Sequence, residues 1–161
     1  MNSAPAEKIK SATPGVIAPP PLIYAAGLAA GFLSHTVFPL RVPFGAVTTV
    51  LGLCLIGTGV LLAAAGFQAM SRVGTYVDPF KPTTALATDG PFRFTRNPLY
   101  LSLTLLYGGI ALFVNLPWAI LFLPIVLLII RRGVIDREER YLEQKFGEDY
   151  LRYKRSVRRW L

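Results

Sequence analysis

Two short stretches hold most of the side chains able to do chemistry. The first, GPFRFTRNPLY at residues 90–100, sets Arg93 and Arg96, three aromatic rings and an Asn-Pro pair directly before an apolar run. Pro98 suits the first turn of a helix, where its missing N–H would have no partner anyway, and Asn97 is a strong N-cap type. A helix starting here turns its positive dipole end and free N–H groups toward the arginines, which favours an anion such as a carboxylate or phosphate. Phe92, Phe94 and Tyr100 offer flat faces to a ring or a sulfonium. The second stretch is Glu138-Glu139, an adjacent carboxylate pair just past another apolar run. An anion pair there is costly unless it meets a cation. That cation is either Arg131, Arg137 or Arg96 in a structural ion pair, or a positively charged ligand. An anion-binding end and a cation-binding end under an aromatic roof suit an amino-acid-like zwitterion that carries a purine.

The surrounding elements are read from composition and apolar periodicity. Of 161 residues, 53% are hydrophobic and 16% charged, with a mean hydropathy of +0.47 and a net charge of +8. A basic balance alone suits nucleic acid or a membrane; the long uncharged runs decide for a membrane and against nucleic acid. The predicted fold is all-α and polytopic, with four transmembrane helices at about 21–38, 44–70, 98–114 and 117–130. The second easily covers roughly 30 Å of hydrocarbon. Asn115-Leu116-Pro117 joins the last two as a hairpin, and Pro124 suggests a kink in the fourth. A cytoplasmic amphipathic helix follows at about 134–157, because Ile135, Leu142, Phe146, Tyr150, Tyr153 and Val157 fall on one face. Its Arg152, Lys154, Arg155 and Arg158 suit anionic membrane lipids. Residues 1–20 read as a flexible tail without a signal-peptide cleavage pattern, and 21–161 as one domain.

Lys and Arg placement orients the chain. With both termini cytoplasmic, 16 of the 17 basic residues lie inside and only Arg41 lies outside. A prokaryotic plasma membrane is the expected location. Cys54 and His35 are the sole residues of their types, which argues against a disulfide or a metal site. Gly27 and Gly31 form a GxxxG pair, read as packing within the bundle with a homodimer face as the alternative. Gly57-Thr58-Gly59 and Gly108-Gly109 are likewise read as helix packing.

Taken together, the stretches GPFRFTRNPLY, EERYL and FGEDYLRYKRSVRRW resemble the isoprenylcysteine carboxyl methyltransferase and phospholipid methyltransferase group of integral membrane enzymes. That pattern runs from a Gly-Pro-Tyr-Arg-like turn through Arg-His-Pro-x-Tyr and an apolar hairpin. Glu-Glu-x-x-Leu, Phe-Gly-x-x-Tyr-x-x-Tyr and a Val-Pro-Arg-like ending follow. The match covers residues 84 onward. It implies S-adenosylmethionine as methyl donor, held by Thr84, Ala85, Leu86, Ala87, Phe92, Asn97, Pro98, Leu99, Tyr100 and Glu138. Glu139 and Arg96 become the catalytic candidates, with Glu139 as general base for an amine acceptor. The acceptor implied is a lipophilic carboxylate or amine sliding in from the bilayer between the third and fourth spans. Three positions depart from the pattern: Asn97 replaces His, Arg158 replaces Pro, and Val134 stands where prenylcysteine enzymes place a substrate-handling Arg. Arg131 and Arg137 are the candidates to replace that Arg. The rival readings are an NADPH-dependent reductase of the sterol reductase type, using Arg93 and Arg96, and a non-catalytic scaffold.

Overall fold

Long apolar runs away from water must satisfy their backbone N–H and C=O groups internally, and helices do so within one segment. The computed structural model describes residues 13–40 and 45–160, and no strand occurs among them. Helix α1 covers Pro20–Val37, α2 Ala46–Arg72, α3 Pro98–Phe113 and α4 Pro117–Ile130. A π-helical segment, Arg131–Ile135, carries α4 without interruption into α5, Asp136–Phe146, and α6 covers Glu148–Ser156. Two helices, Ala46–Arg72 and Pro117–Phe146, are long and apolar enough to cross a membrane; Pro98–Phe113 is apolar but shorter. Three of the apolar helices open on proline: α1 on Pro20, α3 on Pro98 and α4 on Pro117.

The α3–α4 hairpin closes through a Schellman arrangement. Leu116 N–H donates to Ala111 C=O at 2.8 Å and Asn115 N–H to Leu112 C=O at 3.2 Å. Asn115 takes the left-handed position at φ 53°, which asparagine tolerates better than most residues. Leu116 then folds back into the core beside Ala111.

Glycine governs how closely α2 and α3 approach. Gly52, Gly59 and Gly66 are buried on one stripe of α2, seven residues apart. A Cβ at Gly52 would lie 2.8 Å from Gly109 O, one at Gly59 2.9 Å from Leu106 Cγ, and one at Gly66 2.7 Å from Leu99 Cδ2. Gly109 reciprocates, its own Cβ position lying 2.8 Å from Gly52 O. A seven-residue repeat keeps this seam aligned along two antiparallel helices, Gly52 meeting Gly109 and Gly66 meeting Leu99. Gly57 and Gly108 take no part, since nothing lies within 4 Å of their Cβ positions.

On the other side, α1 packs on α4. Gly27 meets Val126 and Tyr107, and a Cβ at Gly31 would lie 2.8 Å from Ala119 Cα. The GxxxG pair therefore packs within the chain, as expected for a bundle contact. The hydroxyls of this seam are paired: Tyr107 donates to Ala119 O at 2.8 Å, and Tyr24 shares a 2.8 Å hydrogen bond with Thr104 Oγ1.

Two expectations need correcting. The helix expected over 134–157 is not continuous, because Gly147 at φ 55°, ψ −127° turns the chain between α5 and α6. Of the expected tail 1–20, residues 1–12 lie outside the described residues, but the segment before α1 is docked. Val16 is buried in the core, Ile17 N–H donates to Gly133 O at 3.2 Å, and Arg137 Nη1 donates to Gly15 O at 2.9 Å. The π turn explains this docking, since its changed register leaves a helix carbonyl open to an outside donor.

The seam predicts opposite signs for two substitutions of one kind. Gly109→Ala should destabilise the protein by about 1–3 kcal/mol, as overpacking does in a filled core. Gly57→Ala should be neutral or stabilise by up to about 1 kcal/mol through helix propensity. Unfolding of each variant in mixed detergent micelles reads the difference.

Candidate functional site

The start of α3 is braced by a segment distant in sequence. Arg96 N–H donates to Arg158 O at 2.9 Å, Thr95 Oγ1 to Arg159 O at 3.1 Å, and Asn97 Nδ2 to the same carbonyl at 2.9 Å. Asn97 thus occupies the N-cap position without capping: its side chain makes no bond to the α3 N–H groups. Those N–H groups are left for another acceptor.

Facing this mouth is the carboxylate pair on α5. Tyr100 Oη donates to Glu138 Oε1 at 2.6 Å, joining the two predicted walls directly. Glu138 is half-buried and lines the cavity between them. It lies in the charged stretch past Ile130, where the apolar run ends. Burial pushes its carboxyl from 4.5 up to about 7, against the lowering effect of the Tyr100 hydrogen bond and with a smaller upward push from Glu139.

Glu139 behaves differently. It is buried at 5% exposure and both oxygens are engaged. Arg159 donates from Nε to Oε1 at 3.0 Å and from Nη2 to Oε2 at 2.7 Å, while Arg96 Nη1 stands 3.3 Å and Lys154 Nζ 3.6 Å away. A general base needs an oxygen open to the proton it takes. Against the expectation of a base, Glu139 shows no open oxygen in this geometry and is held as an ion-paired anchor. Hydrogen bonding to Glu139, in turn, raises the pKa of Arg159.

Arg96 keeps unused capacity. Its side chain is 9% exposed and lines the cavity; Nη1 stands in the 3.3 Å ion pair with Glu139 Oε1, while Nε meets no hydrogen-bond acceptor among the described residues. Buried guanidinium donors without acceptors are costly, so an anionic group at this position would relieve them. Tyr150 and Tyr153 of α6 close the cavity nearby. Burial pushes Tyr150 up to about 12 and Tyr153 higher still, so both stay neutral phenols. Tyr153 Oη donates to Phe92 O at 2.7 Å.

The remaining predicted residues divide plainly. Ala85, Leu86, Ala87, Phe92, Arg96, Asn97, Pro98, Leu99, Tyr100, Glu138 and Glu139 share one cavity. Thr84 does not line it; its hydroxyl donates to Gly74 O at 2.8 Å and its N–H to Thr75 Oγ1 at 3.2 Å, bracing the loop that carries its neighbours. Arg131 is exposed and Arg137 is turned to Gly15, so neither expected substrate arginine lines the cavity. Val134, where the resembled pattern has Arg, is fully buried at 0% exposure. Sequence reasoning missed Pro14, the loop at Tyr76–Pro79, and Tyr141. Tyr141 carried a signal, since it lies one turn beyond the glutamates on their helix face; the loop carried none.

The Glu138 carboxyl makes a pH prediction. Its folded midpoint lies above its ordinary one, so folding binds a proton in this window and stability falls as pH rises from about 4.5 through about 7. Tyr100→Phe removes the one lowering contact and should move the midpoint upward. The infrared carboxylic-acid band that Glu138→Gln abolishes reads this shift.

Comparison with known proteins extends the resemblance. A protein of Haemophilus influenzae, described as uncharacterized, is 48% identical over 63 residues, which is 39% of this chain and 100% of that protein. No solved structure matches the chain. The family model for phospholipid methyltransferase matches residues 47–149, which include both walls of the cavity. That match spans more than half of the sequence, and the chain belongs to the phospholipid methyltransferase family, a family of membrane methyltransferases.

Proposed function

We propose that the protein transfers a methyl group from S-adenosylmethionine to a small lipophilic acceptor dissolved in the membrane. The observation that carries this reading is the pairing of opposite poles in one cavity: the α3 start, which Asn97 does not cap, with the Arg96 guanidinium and its unpartnered Nε on one wall, and Glu138 on the other. The donor's carboxylate suits the first wall and its ammonium or ribose hydroxyls suit the second. Tyr150, Tyr153 and Phe92 supply aromatic surface for the purine or the sulfonium. S-adenosylmethionine would supply an electrophilic methyl, moved by in-line displacement with dispersal of the sulfonium charge. The chain's part is to hold donor and acceptor at roughly 3–3.5 Å and to exclude water.

The cavity also bears on the acceptor. A carboxylate acceptor would want a cation of its own, and Arg131, Arg137 and Val134 provide none there. That favours an amine, and Glu138, with a midpoint of about 7, is the carboxyl suited to exchange a proton near neutrality. The reductase alternative needs several cations for a 2′-phosphate, and Arg93 lies outside the cavity lining. In this reading α1 to α4 are four spans, both termini and the cavity face the cytoplasm of a prokaryotic cell, and the acceptor arrives from the inner leaflet.

Calorimetry in detergent tests the assignment. S-adenosylhomocysteine should bind the wild type and show no measurable binding to Glu138→Gln, while NADPH gives no heat with either. Equal binding by the variant would defeat the reading. Radioactive methyl donor added to native lipid extract then identifies the acceptor by which species gains label.

A further inference from the structure

We propose that Arg159 is a positioning residue that holds the two walls of the cavity at a set separation, acting through Glu139 and through its own backbone. The geometry is two-sided. Its guanidinium grips α5 at three oxygens: Glu139 Oε1 at 3.0 Å, Glu139 Oε2 at 2.7 Å and Asp136 Oδ1 at 2.9 Å. Its carbonyl accepts from Thr95 Oγ1 and Asn97 Nδ2, and the preceding carbonyl, Arg158 O, accepts from Arg96 N–H. One residue therefore bridges the Glu138-bearing helix and the start of α3. Trp160 packs against the core beside it and keeps the segment seated.

The planar fork of arginine matters here. Two parallel N–H···O bonds fix both the distance and the angle of the Glu139 carboxylate, which an ammonium cannot do. Glu138 is the next residue on the same helix, so its place opposite Arg96 follows from how Glu139 is held. Asn97, tied to the Arg159 carbonyl through Nδ2, makes no cap bond to α3. Arg159 does not line the cavity, so its effect on a bound molecule passes through other residues.

This inference rests on the donor assignment above for its consequence in binding, and the test separates the two. Amide hydrogen exchange of the full chain in lipid nanodiscs reads the brace without any ligand. In Arg159→Ala the Thr95–Asn97 amides should exchange at least about tenfold faster. Unchanged protection there overturns the proposal. In parallel, Arg159→Ala should weaken S-adenosylhomocysteine binding by about 10- to 100-fold, as loss of one partner of a buried charge pair does. Donor KM should rise while kcat at saturation changes less than about twofold. Arg159→Lys, which keeps charge and fold but loses the fork, should fall between. The double variant Arg159→Ala with Glu139→Gln should lose less than the product of the two single losses, because the two share one contact even though Arg96 and Lys154 also hold Glu139. Multiplying effects, or a kcat loss without a KM change, overturn it. Arg155→Ala, which breaks only an exposed pair with Glu148, should match the wild type throughout. If the wild type takes up no S-adenosylhomocysteine, the donor reading fails while the exchange result still decides the brace.

Discussion

A buried carboxylate past the end of an apolar helix must be matched by positive charge, and Glu139 recruits it from three separate places in the chain. Arg96 precedes α3, Lys154 sits on α6, and Arg159 follows α6. Removing a carboxylate from water costs several kcal/mol, which is recovered only with close cations and satisfied oxygens. Meeting that requirement pulls the start of α3, α5, α6 and the residues after α6 to one point. The cavity is the space these segments leave as they converge, bounded on its remaining side by the loop that follows α2. Charge compensation thus does at this end what apolar packing does in the middle of the molecule.

The glycine seam transmits position along the bundle. Because the α3 backbone sits against Gly52, and Leu106 and Leu99 fit against Gly59 and Gly66, the longitudinal register of the two helices has little slack. Leu99, which meets Gly66, and Pro98 both line the cavity. The mouth of α3 is therefore located from two directions, by the Leu99 side chain seated against Gly66 of α2 and by the ion-paired segment around Arg159.

Much of the fold was legible because its signals are local. Pro98 and Pro117 open their helices as proline chemistry suggests, and apolar run length places all four long helices to within two residues. The joining of the two walls also followed from residue type, since the Asn97–Tyr100 and Glu138–Glu139 stretches do meet. What failed depended on tertiary partners. Asn97 has the chemistry of a cap, but its Nδ2 donates to the Arg159 carbonyl and its side chain makes no bond to the α3 N–H groups. Glu138 and Glu139 are identical in type, and only helix rotation tells the cavity-facing one from the anchored one. The break at Gly147 was readable in principle, since glycine favours helix ends, but the unbroken apolar spacing from Ile135 to Val157 masked it. The seven-residue glycine spacing was present in the sequence and was passed over in favour of adjacent pairs.

Pro14 and the Arg159 brace stand at opposite ends of the described chain, yet both belong to the same cavity: one lines it and the other holds its walls. The chamber is therefore complete only after residue 159 has been made, when every helix of the bundle has already been synthesised. The apolar seams must reach the correct arrangement unaided, which makes the glycine contacts between α2 and α3 the part of the molecule where folding is decided.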